Sequence, residues 1–476
     1  MIPKLRNYCN GSFSPALQNN TIPLKNPSNA DELGPMGKTS QSTLQECLKH
    51  AERSFYDLTW WSLGKRRAEY LEKIAVSLEN ISDELAFLDA INTGVLLSQT
   101  KILCKLIPHI FRAAAQQLLH FPDKESLQQG AQTVERWNKP LGPALCLGPW
   151  NAPALIGAHK IASALAAGCP CIIKPSEWTP YSTQRMIDLI AECDLPPGAL
   201  QLVHGDSQEG AFLAAHSSIK AVSFTGGYTG GCSIATACIK RMVPMQLELG
   251  GHNPFIILEG ADPSHAAQDI MKGLSLLNGQ WCRAVGRIMV HESLRADLLI
   301  ELKSHLHSLE IGPALAAKSK MGPVVHAAHQ QLLKRKLSFL QKQGAEMIQA
   351  EAPQDQGCFF PLSIATNLPL EADHEEIFGP VASLHSFKDP KGMLQRINRD
   401  ANSLIAYVYG PQDQAFQYAR LLNIGEIKIN GIGLTSVHSQ SPRAAWGTSG
   451  FGAEGVFETF RFFRGTSLIG IPTSKL

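Results

Sequence analysis

Between Leu141 and Gly231 short apolar runs take turns with stretches of helical spacing: PALCLGPW, LIGAHKIASALAAG, CIIKPSEWTP, RMIDLIAEC, ALQLVHG, GAFLAAHSS and AVSFTGG. A short apolar run without polar alternation reads as a strand buried on both faces. Strand, helix, strand and helix in that order predict a parallel sheet covered by helices on each side. Ligands of such sheets collect beyond the carboxyl ends of the strands. The segments that follow the predicted strands, 148–153, 174–177 and 225–231, are therefore where a binding site is expected.

A chain of 476 residues is too long for one ordinary core, so two or three domains are expected. Hydrophobic content of 44% with 18% charge is that of a globular protein. A net charge of +2 with no long basic block excludes nucleic acid and acidic membrane surfaces as partners. The 11 cysteines are odd in number, lack the spacing of a disulfide framework and form no C-x-x-C pair, which points to a reducing compartment and to no structural metal. The N-terminal MIPKLRNYCNGSFSP has no apolar signal region, and no apolar run approaches the roughly 18 residues of a membrane span, so a cytoplasmic protein is expected. The C-terminal Ser474-Lys475-Leu476 supplies the alternative: in a eukaryote it is a peroxisomal address, in a bacterium it carries no message.

Ahead of the alternating region, residues 1–45 are rich in Asn, Pro, Ser and Gly and predict an extended arm with short strands. Helical spacing follows in LQECLKHAERSF, in RRAEYLEKIAVSLENISDELAFLDAINTG with Gly94 as its stop, and around LCKLIPHIFRAAAQQLL. TGGYTGG is not G-x-G-x-x-G, but it follows a predicted strand and precedes SIATACIK, a plausible helix whose first amides would receive a pyrophosphate. Lys174 and Glu177, directly after CII, suit ribose hydroxyls as ammonium donor and carboxylate acceptor, or form a solvated charge pair. In NGQWCRAVGR a thiol, Cys282, stands between a bulky Trp281 and a charged Arg283.

Taken together these motifs resemble the aldehyde dehydrogenase superfamily, in its hydrolytic, NAD(P)-dependent branch. GPWNAP at 148–153 resembles its Pro-Trp-Asn motif, KPSE at 174–177 its cofactor ribose clamp, and FTGGYTGG at 224–231 its phosphate turn. LELGG at 247–251 is similar to the general-base motif and GQWC at 279–282 to the nucleophile motif. EEIFGP at 375–380 resembles the second ribose contact and SGFGAEG at 449–455 the C-terminal signature. The seven run in the family's order, with Glu248 and Cys282 separated by 34 positions.

The resemblance implies a catalytic group of Cys282 as nucleophile, Asn151 as oxyanion donor beside the Cys282 backbone N–H, Glu248 as the base that activates water, and Lys160 as a residue that tunes their charge. It implies NAD, with NADP not excluded, held by Pro149, Trp150, Lys174, Ser176, Glu177, Thr225, Gly226, Gly227, Gly231, Leu249, Gly250, Glu376 and Phe378. The chemistry agrees. A thiolate that adds to an aldehyde makes an electron-rich tetrahedral carbon able to expel hydride, and leaves a thioester. Branches of the family that pass the acyl group to coenzyme A lack the glutamate, so the free acid is the implied product. Read without the family, Asn151 is equally a turn asparagine ahead of Ala152-Pro153, and Glu248 a loop cap.

Departures from the pattern mark the substrate pocket. Ala152 replaces the aromatic residue that usually follows the motif asparagine, His159 stands where many members carry a tryptophan, and Trp281 and Arg283 flank the nucleophile. Arg283 either points into the tunnel, where it holds an acidic group on the substrate and makes a semialdehyde the expectation, or points outward as a surface cation. The expected fold is α/β, with a Rossmann-type parallel-sheet cofactor domain (1–118 and 141–247), an α/β catalytic domain (248–447) and a small β arm (119–140 and 448–476). The arm is expected to give strands such as SLIGIP to a neighbouring subunit of a homodimer or homotetramer. A catalytically silent relative with a structural or binding role is the competing expectation.

Overall fold

The computed structural model describes residues 2–16, 23–129, 132–354, 356–373, 375–400, 402–433, 438 and 441–471. Its largest sheet has eight strands, in the spatial order Ser12–Pro15, Arg6–Cys9, Leu200–Leu202, Cys171–Lys174, Ala144–Leu147, Ala221–Thr225, Met245–Glu248 and Gly450–Phe451. The five central strands are mutually parallel, as the alternating region predicts, while the outer ones run antiparallel.

Side-chain alternation along the strands sorts the core into two layers. Cys146, Cys171 and Ile173 face the helices Arg67–Glu79, Ile107–His120 and Pro153–Ala167. Leu145, Leu147, Ile172 and Val222 face Gln41–Tyr56 and Tyr228–Ile239. The chain leaves Ala144–Leu147 for Cys171–Lys174 on one side, then returns to Ala221–Thr225 on the other. Connections that diverge from one strand leave a crevice at its carboxyl end, and 148–153 opens onto it.

A second sheet of seven strands follows, ordered Glu346–Gln349, Ser363–Thr366, Val381–Phe387, Arg287–His291, Pro254–Ile257, Ile405–Tyr409 and Glu426–Ile429, parallel except for the first. Met245–Glu248 is the last parallel strand of the first sheet and Pro254–Ile257 the first strand of the second in chain order, so LELGG begins the link between them. The expected α/β architecture is what the chain adopts.

Two helical segments are shorter than their apolar spacing predicts. The second breaks at Asn80-Ile81 into Arg67–Glu79 and Ser82–Thr93, and the third breaks at Leu106 into Leu97–Lys105 and Ile107–His120, with Pro108 in the first turn of the new helix. Gly94 does end its helix, at φ 79°. Of the stretch 448–476, Gly450–Phe451 joins the edge of the first sheet and Val456–Phe462 packs on Pro153–Ala167. Arg464–Ile471, the strand expected to meet a neighbouring subunit, pairs along one edge within the chain, antiparallel to Gln132–Pro140 over its whole length. Its other edge takes no strand among the described residues. Among these residues no helix is long and apolar enough to cross a membrane. Ser474-Lys475-Leu476 lies outside the described residues.

Candidate active site

Cys282 lies in the loop between the helix Pro263–Ser275 and the strand Arg287–His291, and three successive residues before it, Leu277, Asn278 and Gly279, have φ of 47°, 57° and 71°. Only glycine takes this region freely, so two of the three are held there by their surroundings. Asn278 does much of the holding: its amide donates to Gly94 O and Pro323 O at 2.8 Å each and accepts from Gly322 N at 2.7 Å. A Cβ on Gly279 would stand 2.4 Å from Pro380 N, which leaves no room for another residue. Gln280 Oε1 accepts from Val325 N at 2.9 Å. On the far side Asn253 Nδ2 donates to Cys282 O at 2.9 Å and to Ala284 O at 2.8 Å. The Cys282 loop is thus pinned at both ends by buried amides.

The thiol meets residues from both sheets. Cys282 Sγ is 3.5 Å from Glu248 Oε1, at the end of Met245–Glu248. Asn151 is buried in the turn after Ala144–Leu147 and donates to Gln280 O at 2.8 Å, two residues before the thiol. The three residues singled out in the sequence therefore converge on one place. Burial, then the neighbouring Glu454, raise the Glu248 carboxyl to about 7, and Glu454 itself is held below the ordinary carboxylate range. Burial also pushes the Cys282 thiol up, reinforced by Glu248 and Glu454, while Arg283 pulls it down.

Lys160 lies in the helix Pro153–Ala167, and its ammonium donates to Ser223 Oγ at 2.8 Å and pairs with Glu454 Oε1 at 3.9 Å. Its charge reaches Glu248 through Glu454, a residue quoted in SGFGAEG without a role of its own. His159 Nε2 sits 3.0 Å from Thr459 Oγ1, and burial lowers its pKa to about 4, so it is neutral at pH 7. Trp281 donates its indole N–H to Gly273 O at 2.9 Å and packs with Val95, Ala152 and Leu277.

The outward reading of Arg283 is overturned. Its side chain is buried, with Nη1 3.2 Å from Cys282 Sγ and 3.4 Å from Glu248 Oε1, and Nε 3.1 Å from Glu426 Oε2. Sequence alone offered no signal for Glu426, which comes from a strand 143 residues further on.

At the crevice the residues fit a dinucleotide. Among the described residues, the helix Tyr228–Ile239 begins after Gly227 with no side-chain cap, and the Thr225 hydroxyl before it is buried without a partner. Free amides and an orphaned hydroxyl at a helix start suit an anion. A Cβ on Gly227 would meet nothing within 4 Å, so this turn is open, whereas a Cβ on Gly231 would strike Leu249 at 2.7 Å. Lys174 Nζ, buried, donates to Gly205 O at 2.6 Å and lies 4.0 Å from Glu177. Ser176 Oγ accepts from Trp178 N at 3.3 Å.

From the second sheet's side, Glu376 Oε1 accepts from Gly251 N at 3.0 Å, and a Cβ on Gly250 would reach its carboxylate at 2.1 Å. Burial raises the Glu376 carboxyl to about 7. The Phe378 ring lies 5.2 Å from that of Trp150, which follows Pro149 in the motif turn. Residues on the two sides of the crevice thus meet across it.

Comparison with known proteins bears on the same residues. The chain is 28% identical to the chloroplastic betaine aldehyde dehydrogenase of Beta vulgaris over 472 residues, covering 95% of this chain and 93% of that one. It is 28% identical over 469 residues to peroxisomal aminoaldehyde dehydrogenase 2 of Malus domestica, with the same coverage. A solved structure of betaine aldehyde dehydrogenase from Staphylococcus aureus in complex with NAD+ superposes with a TM-score of 0.94 at 27% identity, covering 99% of this chain and 95% of that one. The model of the aldehyde dehydrogenase family matches residues 14–469. With a thiol, a carboxylate and an amide gathered beside a dinucleotide crevice, this chain belongs to the aldehyde dehydrogenase family of enzymes, which oxidise aldehydes with NAD.

Proposed function

We propose that the protein oxidises an aldehyde to the free carboxylic acid with Cys282 as nucleophile and NAD as the preferred cofactor. The observation that carries this reading is the 3.5 Å approach of Cys282 Sγ to Glu248 Oε1, two groups supplied by different sheets. Cys282, as a thiolate whose proton has gone to solvent, forms an S–C bond to the carbonyl carbon, and the carbonyl electron pair moves onto oxygen, where the Asn151 amide and the Cys282 backbone N–H stabilise it. NAD, when bound, accepts the hydride that this tetrahedral carbon gives up. Cys282 then carries the acyl group as a thioester. Glu248 takes a proton from water, the resulting hydroxide adds to the thioester carbon, the S–C bond breaks and the acid departs. The presence of the full trio favours this reading over a silent relative of the same fold.

For the cofactor, the Tyr228–Ile239 helix start and Thr225 suit the pyrophosphate, Lys174 and Glu177 one ribose, and Glu376 with Phe378 the other. A carboxylate at Glu177 repels the 2′-phosphate of NADP, which is why NAD is preferred.

For the substrate, cations outnumber anions among the described residues of the site. There Lys160, Arg283, Lys428 and Arg443 pair within one network with Glu248, Glu426 and Glu454, and Glu248 is raised to about 7. A fixed cation such as the one on betaine aldehyde is disfavoured there, and a semialdehyde, whose carboxylate balances the excess, is favoured. The unpaired edge of Arg464–Ile471 suits a homodimer or homotetramer, which sedimentation of the chain measures.

A panel of acidic, neutral and cationic aldehydes, run with NAD and with NADP, tests the proposal by absorbance of the reduced cofactor. Turnover is expected to be highest for acidic aldehydes with NAD, to vanish in Cys282→Ala, and to lose its acidic preference in Arg283→Ala. Turnover that survives Cys282→Ala sinks the mechanism; an acidic preference that survives Arg283→Ala sinks the substrate assignment.

A further inference from the structure

The residue after the nucleophile is not a neutral spacer. Arg283 turns back over its own peptide so that Nη1 stands 3.2 Å from Cys282 Sγ, while Nε is fixed by Glu426 at 3.1 Å. Glu426 is fixed in turn by Lys428, 3.4 Å away and two residues along the strand Glu426–Ile429, on the same face. The Tyr407 hydroxyl donates to Arg283 O at 2.8 Å, which locks the backbone from which the guanidinium springs. Arg283, Glu426 and Lys428 are all buried. A long, flexible side chain held at its backbone, at its Nε and at its tip is a built arrangement, and water does not screen it.

We propose that Arg283 is a catalytic residue whose guanidinium pairs with the Cys282 thiolate, and that Glu426 is the positioning residue that holds it there. The inference rests on Cys282 being the nucleophile. A half-buried thiolate 3.5 Å from a carboxylate is costly, and the fixed guanidinium at hydrogen-bond distance offsets that cost. Of the charged groups that act on the thiol, Glu248 and Glu454 raise its pKa and Arg283 lowers it. Glu426, Lys428, Arg443 and Tyr407 bear on the guanidinium or on its partner. Because Nη1 also lies 3.4 Å from Glu248 Oε1, the same cation spans nucleophile and base. When the thiolate is consumed by acylation, that contact to Glu248 remains, and it favours the ionised form of the carboxylate that the hydrolytic half-reaction requires.

The test follows alkylation of Cys282 by iodoacetamide, a reaction of the thiolate in which the S–C bond forms as iodide leaves. Its rate is read by mass spectrometry at the Cys282 peptide between pH 6 and 10, without aldehyde or cofactor, for wild type, Arg283→Gln, Arg283→Lys and Glu426→Gln. The expected result is a profile displaced to higher pH in Arg283→Gln, so that the rate at pH 8 falls about tenfold, as for roughly one unit of displacement. Arg283→Lys recovers part of the rate, and Glu426→Gln, with the charge retained but untethered, falls between wild type and Arg283→Gln. Superimposed profiles for wild type and Arg283→Gln overturn the proposal. So does a Glu426→Gln profile that matches wild type, as far as positioning is concerned. This readout involves no turnover, so its failure leaves the aldehyde panel to judge the proposed function separately.

Discussion

Glu248 ends its strand between Leu247 and Leu249, with burial and Glu454 raising its carboxyl to about 7. The proposed hydrolysis needs the carboxylate, so its rate should climb with pH through about 7 and level off above it. Stopped-flow release of the acid between pH 5.5 and 8.5 measures this. In Glu248→Gln the limb near 7 should vanish and the plateau fall by about 10²–10⁴, the usual worth of a general base. A wild-type rate flat across that range would assign the base elsewhere. At this scale the sequence was informative where a residue's chemistry is local to a motif: Cys282, Glu248 and Asn151 each sit inside a quoted motif. It was silent where chemistry is assembled across the chain. Glu426 reaches Arg283 because Ile405–Tyr409 and Pro254–Ile257 bring its strand beside the Cys282 loop, and the sense of Arg283 follows from that pairing.

Among the elements, Ser82–Thr93 shows how a helix end in the preface sets the geometry of a loop nearly two hundred residues later. Gly94 closes that helix at φ 79°, and its carbonyl accepts from Asn278 Nδ2, four residues ahead of the thiol. A Cβ there would lie 2.5 Å from Pro323 O, the other acceptor of the same amide. Gly94→Ala should therefore cost at least about 1–2 kcal/mol of stability for the left-handed backbone alone. It should also slow alkylation of Cys282, since the loop loses its anchor. Thermal unfolding and peptide-resolved labelling check the two effects, and a variant with normal thiol reactivity would show that the helix stop is only structural. The glycine was legible as a stop because a left-handed cap leaves a composition signal. Its partnership with Asn278 was not, because no local pattern encodes which loop a carbonyl will meet. The breaks at Asn80-Ile81 and Leu106 are not legible in the sequence for a related reason: helical apolar spacing continues across both.

For the molecule as a whole, the two parallel sheets matter because one carries Glu248 and the crevice at its strand ends while the other carries the loop of Cys282. Alternating apolar runs made the first sheet readable from the sequence; the second, spread over 254–429 with a longer and less regular rhythm, was reached through motif order. The β-prone SLIGIP was legible as a strand, but its intrachain partner Gln132–Pro140 was not, because β propensity does not say which segment a strand will pair with. The measurement that bears most directly on the union of the two halves is intact and peptide mass spectrometry of Glu248→Gln mixed with NAD and a short aliphatic aldehyde. The account predicts an acyl group retained as a thioester on Cys282, with one equivalent of NADH released and little further turnover. An unmodified Cys282 peptide, or an acyl group carried by another residue, would contradict it.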